Sequence, residues 1–341
     1  MGGNSSLQYC LFVGRQSLFT KMNHPKVSVV IPVYGVETFI EQCTVSLFEQ
    51  TLCDMEFIFV DDCTPDRSIE IVRSLTDKYK DRLLKDRKTV RIERMPQNSG
   101  LAAVRKYGIT RAEGEYVITC DSDDWVETSM YETLYDIATR EQADMVVCDH
   151  FINYESHPEE VFHKKITDTD KIVLLNRVIG TWELNYVWCA LAHRSLYQKI
   201  YFPMASQTED KIFMVQLYYY SAKTVYTPQP LYHYRIRENS ISHSAGKESM
   251  QKRFEQASRN WEVMKKFLDK ERLLPLAEDA FKAYTYRIKK FLLDGLHDES
   301  FRQLWKNSHP DLSKGLLFNP YLDWKEKYRY VRAVIKVYLH F

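Results

Sequence analysis

From Val27 to His150 the chain alternates between two periods. Apolar runs of strand length, VSVVIPVY, EFIFVD, VRIERM, EYVITCD and DMVVCDH, are separated by segments with helical spacing. In one of these Phe39, Ile40, Cys43 and Leu47 recur at helical intervals, and in another Leu101, Val104, Tyr107 and Gly108 do. Strands joined in this way form a mostly parallel sheet with helices on both faces, because parallel neighbours need a long crossover and the crossover helix must bury its own apolar stripe. Such sheets bind ligands beyond the carboxyl ends of their strands, where the connections reverse.

The polar residues collect at those ends. PVYG, VDDCTPD, PQNSG and CDSDD bring Tyr34, Asp61, Asp62, Asn98, Ser99, Asp121, Asp123 and Asp124 to one crevice. Like carboxylates a few ångströms apart raise each other's pKa and cost stability unless a cation or a row of donors neutralises them. Turn and helix-cap chemistry would account for one aspartate in SDDWVETSMYETL; three at the end of a buried strand call for a partner. A nucleotide site is the natural reading, yet neither GxGxxG nor GxxxxGK[ST] follows a strand. A divalent metal on the DSDD carboxylates would hold a diphosphate instead, since hard oxygen ligands suit Mn2+ or Mg2+.

Composition narrows the class. A chain of 341 residues has room for one large domain with an appendage, or two domains. Its formal charge of +1 makes no electrostatic case for nucleic acid. The seven cysteines are odd in number and never spaced as CxxC, which reads as reduced thiols in a cytoplasmic protein. No apolar run approaches the roughly 20 residues of a membrane span. The first 24 residues lack acids and strand or helix patterning, and read as a disordered extension, with translation expected to begin at Met22.

The segments VSVVIPVYGVETFIEQCTVSLFEQTLCDMEFIFVDDCTPDRSIEIV and NSGLAAVRKYGITRAEGEYVITCDSDDWVE, followed by VWCALAHRSL, FPMASQTEDKIF and YHYRIRENSIS, resemble the family 2 glycosyltransferases of GT-A fold, of the bacterial polysaccharide type. The likeness covers roughly Val27 to Ser242, and its specificity lies in the order of several motifs. It implies an inverting, metal-dependent hexosyl transfer from a nucleotide sugar, commonly UDP-linked, to a glycan or lipid-linked glycan. Carried over by position, Pro32 and Tyr34 flank the base and ribose, Asp61 accepts the uracil N3 proton, and Arg105 faces the nucleotide. Asp121 and Asp123 form the DxD motif with Ser122 between them, and Asp123 makes the direct metal contact. Asp124 reaches the donor sugar. In TED, Asp210 is the catalytic base and Glu209 supports it. Trp188 shapes the sugar pocket, Arg235 and Arg237 add charge over the diphosphate, and His233 approaches the metal.

Simpler roles stay open for several of these residues. Asp61 serves a turn, Arg105 a solvated helix face, Trp188 a core, and Thr208 with its acidic neighbours a helix cap. Alternation along YHYRIR also fits an edge strand. Gly35 stands where the family commonly has Asn, and Ala190 where many members have Lys. A sugar nucleotidyltransferase would carry a glycine-rich basic loop after strand one, which PVYGVETF lacks; a catalytically silent nucleotide-sugar-binding module is disfavoured by intact DxD and TED.

The organisation expected is an extension over 1–24, a transferase domain over 25–243 and a helical region over 244–341 outside the chemistry. The domain divides into a nucleotide-sugar half, 25–150, and an acceptor and base half, 151–243. Helices are expected near Gln251 to Lys270 and Leu276 to Leu293. In the final WKEKYRYVRAVIKVYLHF, Trp324, Tyr328, Val331, Ile335 and Tyr338 form an apolar stripe flanked by Lys325, Arg329, Arg332 and Lys336. Either this helix lies at the cytoplasmic face of the inner membrane, or it packs on the domain with its basic edge in water.

Overall fold

The computed structural model describes residues 24–338 apart from 155–156, 167–169, 237–245 and 314. The extension and Arg237 lie outside the described residues. The alternation read from the sequence is present: β1 (Val27–Val33), α1 (Ile40–Phe48), β2 (Met55–Asp61), α2 (Ser68–Lys78), α3 (Lys80–Lys85), β3 (Thr89–Arg94), α4 (Leu101–Ile109) and β4 (Tyr116–Thr119). Strands β1, β2 and β4 are buried along their whole length, as expected of strands covered on both faces, whereas β3 is the half-exposed edge. Helix α4 packs so close to β1 that a Cβ on Gly108 would run into the Val30 side chain.

The chain continues through β5 (Trp125–Val126), α5 (Met130–Glu141), β6 (Met145–Tyr154), β7 (Glu160–Phe162), α6 (Lys171–Gly180), β8 (Ala190–His193), α7 (Arg194–Tyr197), α8 (Glu209–Tyr220) and β9 (Thr224–Ile236). The described strands form one sheet in the order β3-β2-β1-β4-β8-β6-β9-β5, with β7 beside β6. Strands β1 to β4, β6 and β9 run one way; β5, β7 and β8 run against them. The mostly parallel sheet is thus present, with antiparallel β8 wedged between its halves. Tyr232–Ile236 of YHYRIR end β9; they pair with β6, and Tyr232 and His233 pair also with the two-residue β5, so these two do not lie on the edge that the alternation allowed.

Order 3-2-1-4 puts a reversal of connection between β1 and β4, the position beyond whose carboxyl ends such sheets bind ligands. Pro32 has no N–H to donate, and it lies past the last β1–β4 pair, Val30 with Thr119.

Four helices follow: α9 (Lys247–Lys270), α10 (Glu278–Lys289), α11 (Glu299–Asn307) and α12 (Trp324–Tyr338). They do not stand apart from the sheet. Arg287 in α10 donates to Glu326 of α12 at 2.9 and 3.0 Å and to the Gly180 carbonyl at the end of α6. Asn260 in α9, fully buried, accepts from the Met204 and Ala205 amides and donates to the Ala205 and Gln207 carbonyls. The loop it grips leads straight into Glu209 and Asp210.

Candidate active site

The carboxyl end of β4 turns through Asp121 to Asp124, and its three aspartates meet three different fates. Asp124 is turned inward. Its two oxygens accept from the Tyr232 hydroxyl at 2.7 Å and from the Arg235 amide at 2.8 Å. Burial, then Asp123 and Asp121, push its pKa well up. Asp121 Oδ1 accepts from Arg105 at 2.6 Å, and Asp123 is half-buried with its carbonyl bonded to Arg235 Nε at 2.9 Å. Ser122 is buried between them.

Arg105 answers most of the charge problem. It is 1% exposed and reaches three carboxylates: Asp121, Glu209 at 2.7 Å and Asp210 at 2.5 Å. It is therefore not a solvated helix residue: its two terminal nitrogens are taken by acids from two distant loops, and its Nε is buried without a partner. Its position is set by Asp62, whose carboxylate accepts from the Ser99 and Gly100 amides at 2.7 and 2.9 Å and fastens the entry to α4.

Glu209 and Asp210 open α8. Burial, reinforced by Asp210 and opposed by Arg105, raises the Glu209 carboxyl well above its usual range. Asp210 keeps 28% of its side chain exposed, and burial pushes it up to about 6 against the pull of Arg105. Thr208 does not cap the helix: it sits at φ +66°, and its hydroxyl lies 3.3 Å from that of Tyr284 in α10. Lys211, fully buried, donates to the Val178, Ile179 and Thr181 carbonyls where α6 ends.

The remaining expected residues divide. Tyr34 is 51% exposed beyond β1, and Asp61 at the end of β2 is buried, held by the Thr64 amide at 2.8 Å and Arg94 at 3.1 Å. Arg235 lies beside the aspartate loop, its guanidinium over the Phe39 and Trp125 rings and bonded to Gln42. Trp188 is buried and stacks on Tyr232 at 4.1 Å, so it supports Asp124 through that tyrosine.

His233 departs from its expected place. Strand alternation turns it away from the side on which Tyr232 touches Asp124. Its ring is sandwiched between Trp125 and Phe151, and its nitrogens meet Glu127 at 2.8 Å, with Asn153 and Glu159 at 3.3 Å. Among the described residues no three His, Cys, Asp or Glu side chains are arranged to hold a metal. Asp123 and the outer oxygen of Asp121 nevertheless fit a hard cation whose shell is completed by substrate phosphates, the usual mode for Mg2+.

Fold and crevice define a GT-A protein. Residues 28–208 match Glycosyl transferase family 2, and the chain belongs to that family. GlyA, a glycosyltransferase of Streptococcus pneumoniae serotype 4, is 31% identical over 227 residues, covering 64% of this chain and 31% of GlyA. The chain spans less than two thirds of the length of the first curated relatives it matches. TarS of S. aureus (residues 1–349), solved in complex with UDP-GlcNAc, superposes with a TM-score of 0.56 at 17% identity, over 90% of this chain and 92% of that one. A mannosyltransferase from Pyrobaculum calidifontis, solved with GDP-Man and Mn2+, gives 0.53 at 15% identity, over 93% and 88%. At such identities the two structures speak for the fold.

Proposed function

We propose that this protein transfers a hexosyl group from a nucleotide sugar, UDP-linked, to a hydroxyl of a glycan or lipid-linked glycan, with inversion. The observation that carries this reading is the joining of Asp121, from the DxD loop, to Glu209 and Asp210, from the TED loop, by the single guanidinium of Arg105. One buried cation thereby fixes the distance between the diphosphate side and the base side of the crevice.

Asp210, poised near neutrality, takes the acceptor hydroxyl proton at its carboxylate as the oxygen attacks the anomeric carbon. Attack from the face opposite the diphosphate inverts that centre in one displacement. Mn2+ or Mg2+, held by Asp123 and Asp121 with the diphosphate oxygens, would offset charge building on the leaving group. Arg235 holds the aspartate loop to α1 through Gln42, and exposed Tyr34 offers a ring to the base.

A panel of nucleotide sugars incubated with the protein and Mn2+, with anomeric configuration read by NMR, tests the reading. Release of one nucleotide with an inverted product is expected; no turnover of any donor would leave a silent binding module. In calorimetry, Asp123→Ala is expected to abolish Mn2+-dependent UDP binding with the thermal melt unchanged. Undiminished metal-dependent affinity would move the metal elsewhere.

A further inference from the structure

Helix α12 presents three faces. Glu326, Tyr330, Ala333 and Val337 are buried against the protein. Trp324, Tyr328, Val331, Ile335 and Tyr338 are exposed by 71, 57, 37, 41 and 56%. At 3.6 residues per turn these five fall in one strip roughly 80° wide. Lys325, Arg329, Arg332 and Lys336 form a second strip about 110° further round, between the first strip and the buried face. Packing on the domain therefore accounts for one apolar face of this helix and leaves another, the larger in its side chains, in the open.

Arg329, Arg332 and Lys336 also line, together with Lys290, an open cavity of about 860 Å³ between α12 and the turn after α10. Among the described residues that line it, Asp294 is the one acid. Lys290 is engaged by Glu326 at 2.9 Å, and among the described residues no carboxylate pairs with Arg329, Arg332 or Lys336. A cationic cavity beside an aromatic strip asks for an occupant that is anionic and apolar at adjoining depths. A second copy of the chain does not meet this, because a contact through the strip would leave the cations, about 110° further round the helix, without an anion from that contact.

We propose that this surface docks the protein on an anionic phospholipid bilayer, the aromatic strip entering the interface and the cavity cations receiving lipid phosphates. Nothing in this depends on the proposed transfer reaction. The helix is rigidly attached for the purpose: Glu326 is bound by Arg287, which also holds the end of α6.

Sedimentation of the full chain with vesicles is the test. The protein is expected to pellet with mixed phosphatidylglycerol–phosphatidylcholine vesicles, to be released by high salt, and to stay in solution with phosphatidylcholine alone. Replacing Arg329, Arg332 and Lys336 together by Gln should weaken binding about 100-fold, at roughly five-fold per cation. Tyr328→Ser with Ile335→Ser should also release the protein, with the thermal melt of each variant showing that it is folded. Equal pelleting of parent and variants, equal pelleting with neutral vesicles, or no pelleting at all would overturn the proposal. So would a concentration-dependent dimer that the Tyr328 and Ile335 substitutions abolish.

Discussion

Arg105 faces three carboxylates that it alone can hold at these angles, because a planar fork reaches two directions at once and an ammonium cannot. Arg105→Lys keeps the charge and loses the geometry. Transfer is expected to fall by about 10- to 100-fold, as for misplacement near the reacting atoms, while the fold survives by circular dichroism; a fully active lysine variant would reduce Arg105 to a counter-charge. Asp210→Asn keeps size and hydrogen bonding but takes no proton, so transfer should fall by about 100-fold or more with UDP binding unchanged. Because burial raises the Asp210 carboxyl to about 6 against the pull of Arg105, and the base acts when ionised, the rate should drop as pH falls through that value and level off above it. The asparagine variant should lack that limb; if it keeps it, another group titrates. The acids of this site were legible in the sequence because DSDD and TED are short and sit at element ends. Their neutralising cation was not, since Arg105 lies 104 residues from Glu209 and local spacing carries no trace of such a contact. His233 misled for a related reason: alternation says that neighbours on a strand face opposite ways, but not which way faces the crevice.

Among the elements, the long buried strands and their crossover helices were legible because length, burial and period agree. Strands β8 and β5 were not: four residues of ALAH and two of WV are too short to show a period, and only their tertiary partners make them strands. Gly35 is a case where the structure explains a residue that the sequence only noted. At φ +66°, with its amide donating to Thr64, it occupies the left-handed region that glycine and, next, asparagine tolerate, so the asparagine expected from the resemblance would also fit there. Helix α9 acts through Asn260, whose side chain replaces the backbone partners that the 204–207 loop lacks. Asn260→Ala would leave the Met204 and Ala205 amides and the Ala205 and Gln207 carbonyls without this partner, at about 1–3 kcal/mol for each group that water cannot reach. The expected result is a melting temperature lower by several degrees and a loss of transfer larger than the loss of UDP binding, because Glu209 and Asp210 follow that loop while the aspartate loop does not. A variant with both losses equal would show that the loop does not position the base.

At the scale of the whole molecule, the C-terminal helices and the sheet share one apolar core, and a buried ionic cluster within those helices reaches the end of α6 through Arg287. Glu326 of α12 takes Arg287 at 2.9 Å and Lys290 at 2.9 Å, and Arg287 continues to the carbonyls of Gly180 and Tyr321. Lys211, next to Asp210 in sequence, donates to the Val178, Ile179 and Thr181 carbonyls at the same end of α6, so that terminus is held by the residue after the proposed base and by the arginine that binds the last helix. Removing α12 outright would leave Arg287 charged, buried and unpaired; a truncation there tests folding before it tests anything else. The cleaner probe is Glu326→Ala. Breaking a buried pair from one side costs about 3–5 kcal/mol, because the cations left behind keep their desolvation penalty without the compensating anion. Burial acts to raise the Glu326 carboxyl, yet the hydrogen bonds from Arg287 and Lys290 outweigh it and hold the group below its ordinary value. A carboxyl with a depressed folded value contributes stability that is present above its unfolded value of 4.5 and lost as pH falls through the lower, folded one. The parent should therefore lose its advantage over Glu326→Ala as pH drops below that range, and the two melting curves should converge in acid. Curves that stay equally far apart down to the lowest pH at which the parent is folded would show that packing, rather than the ion pair, holds α12 against α10.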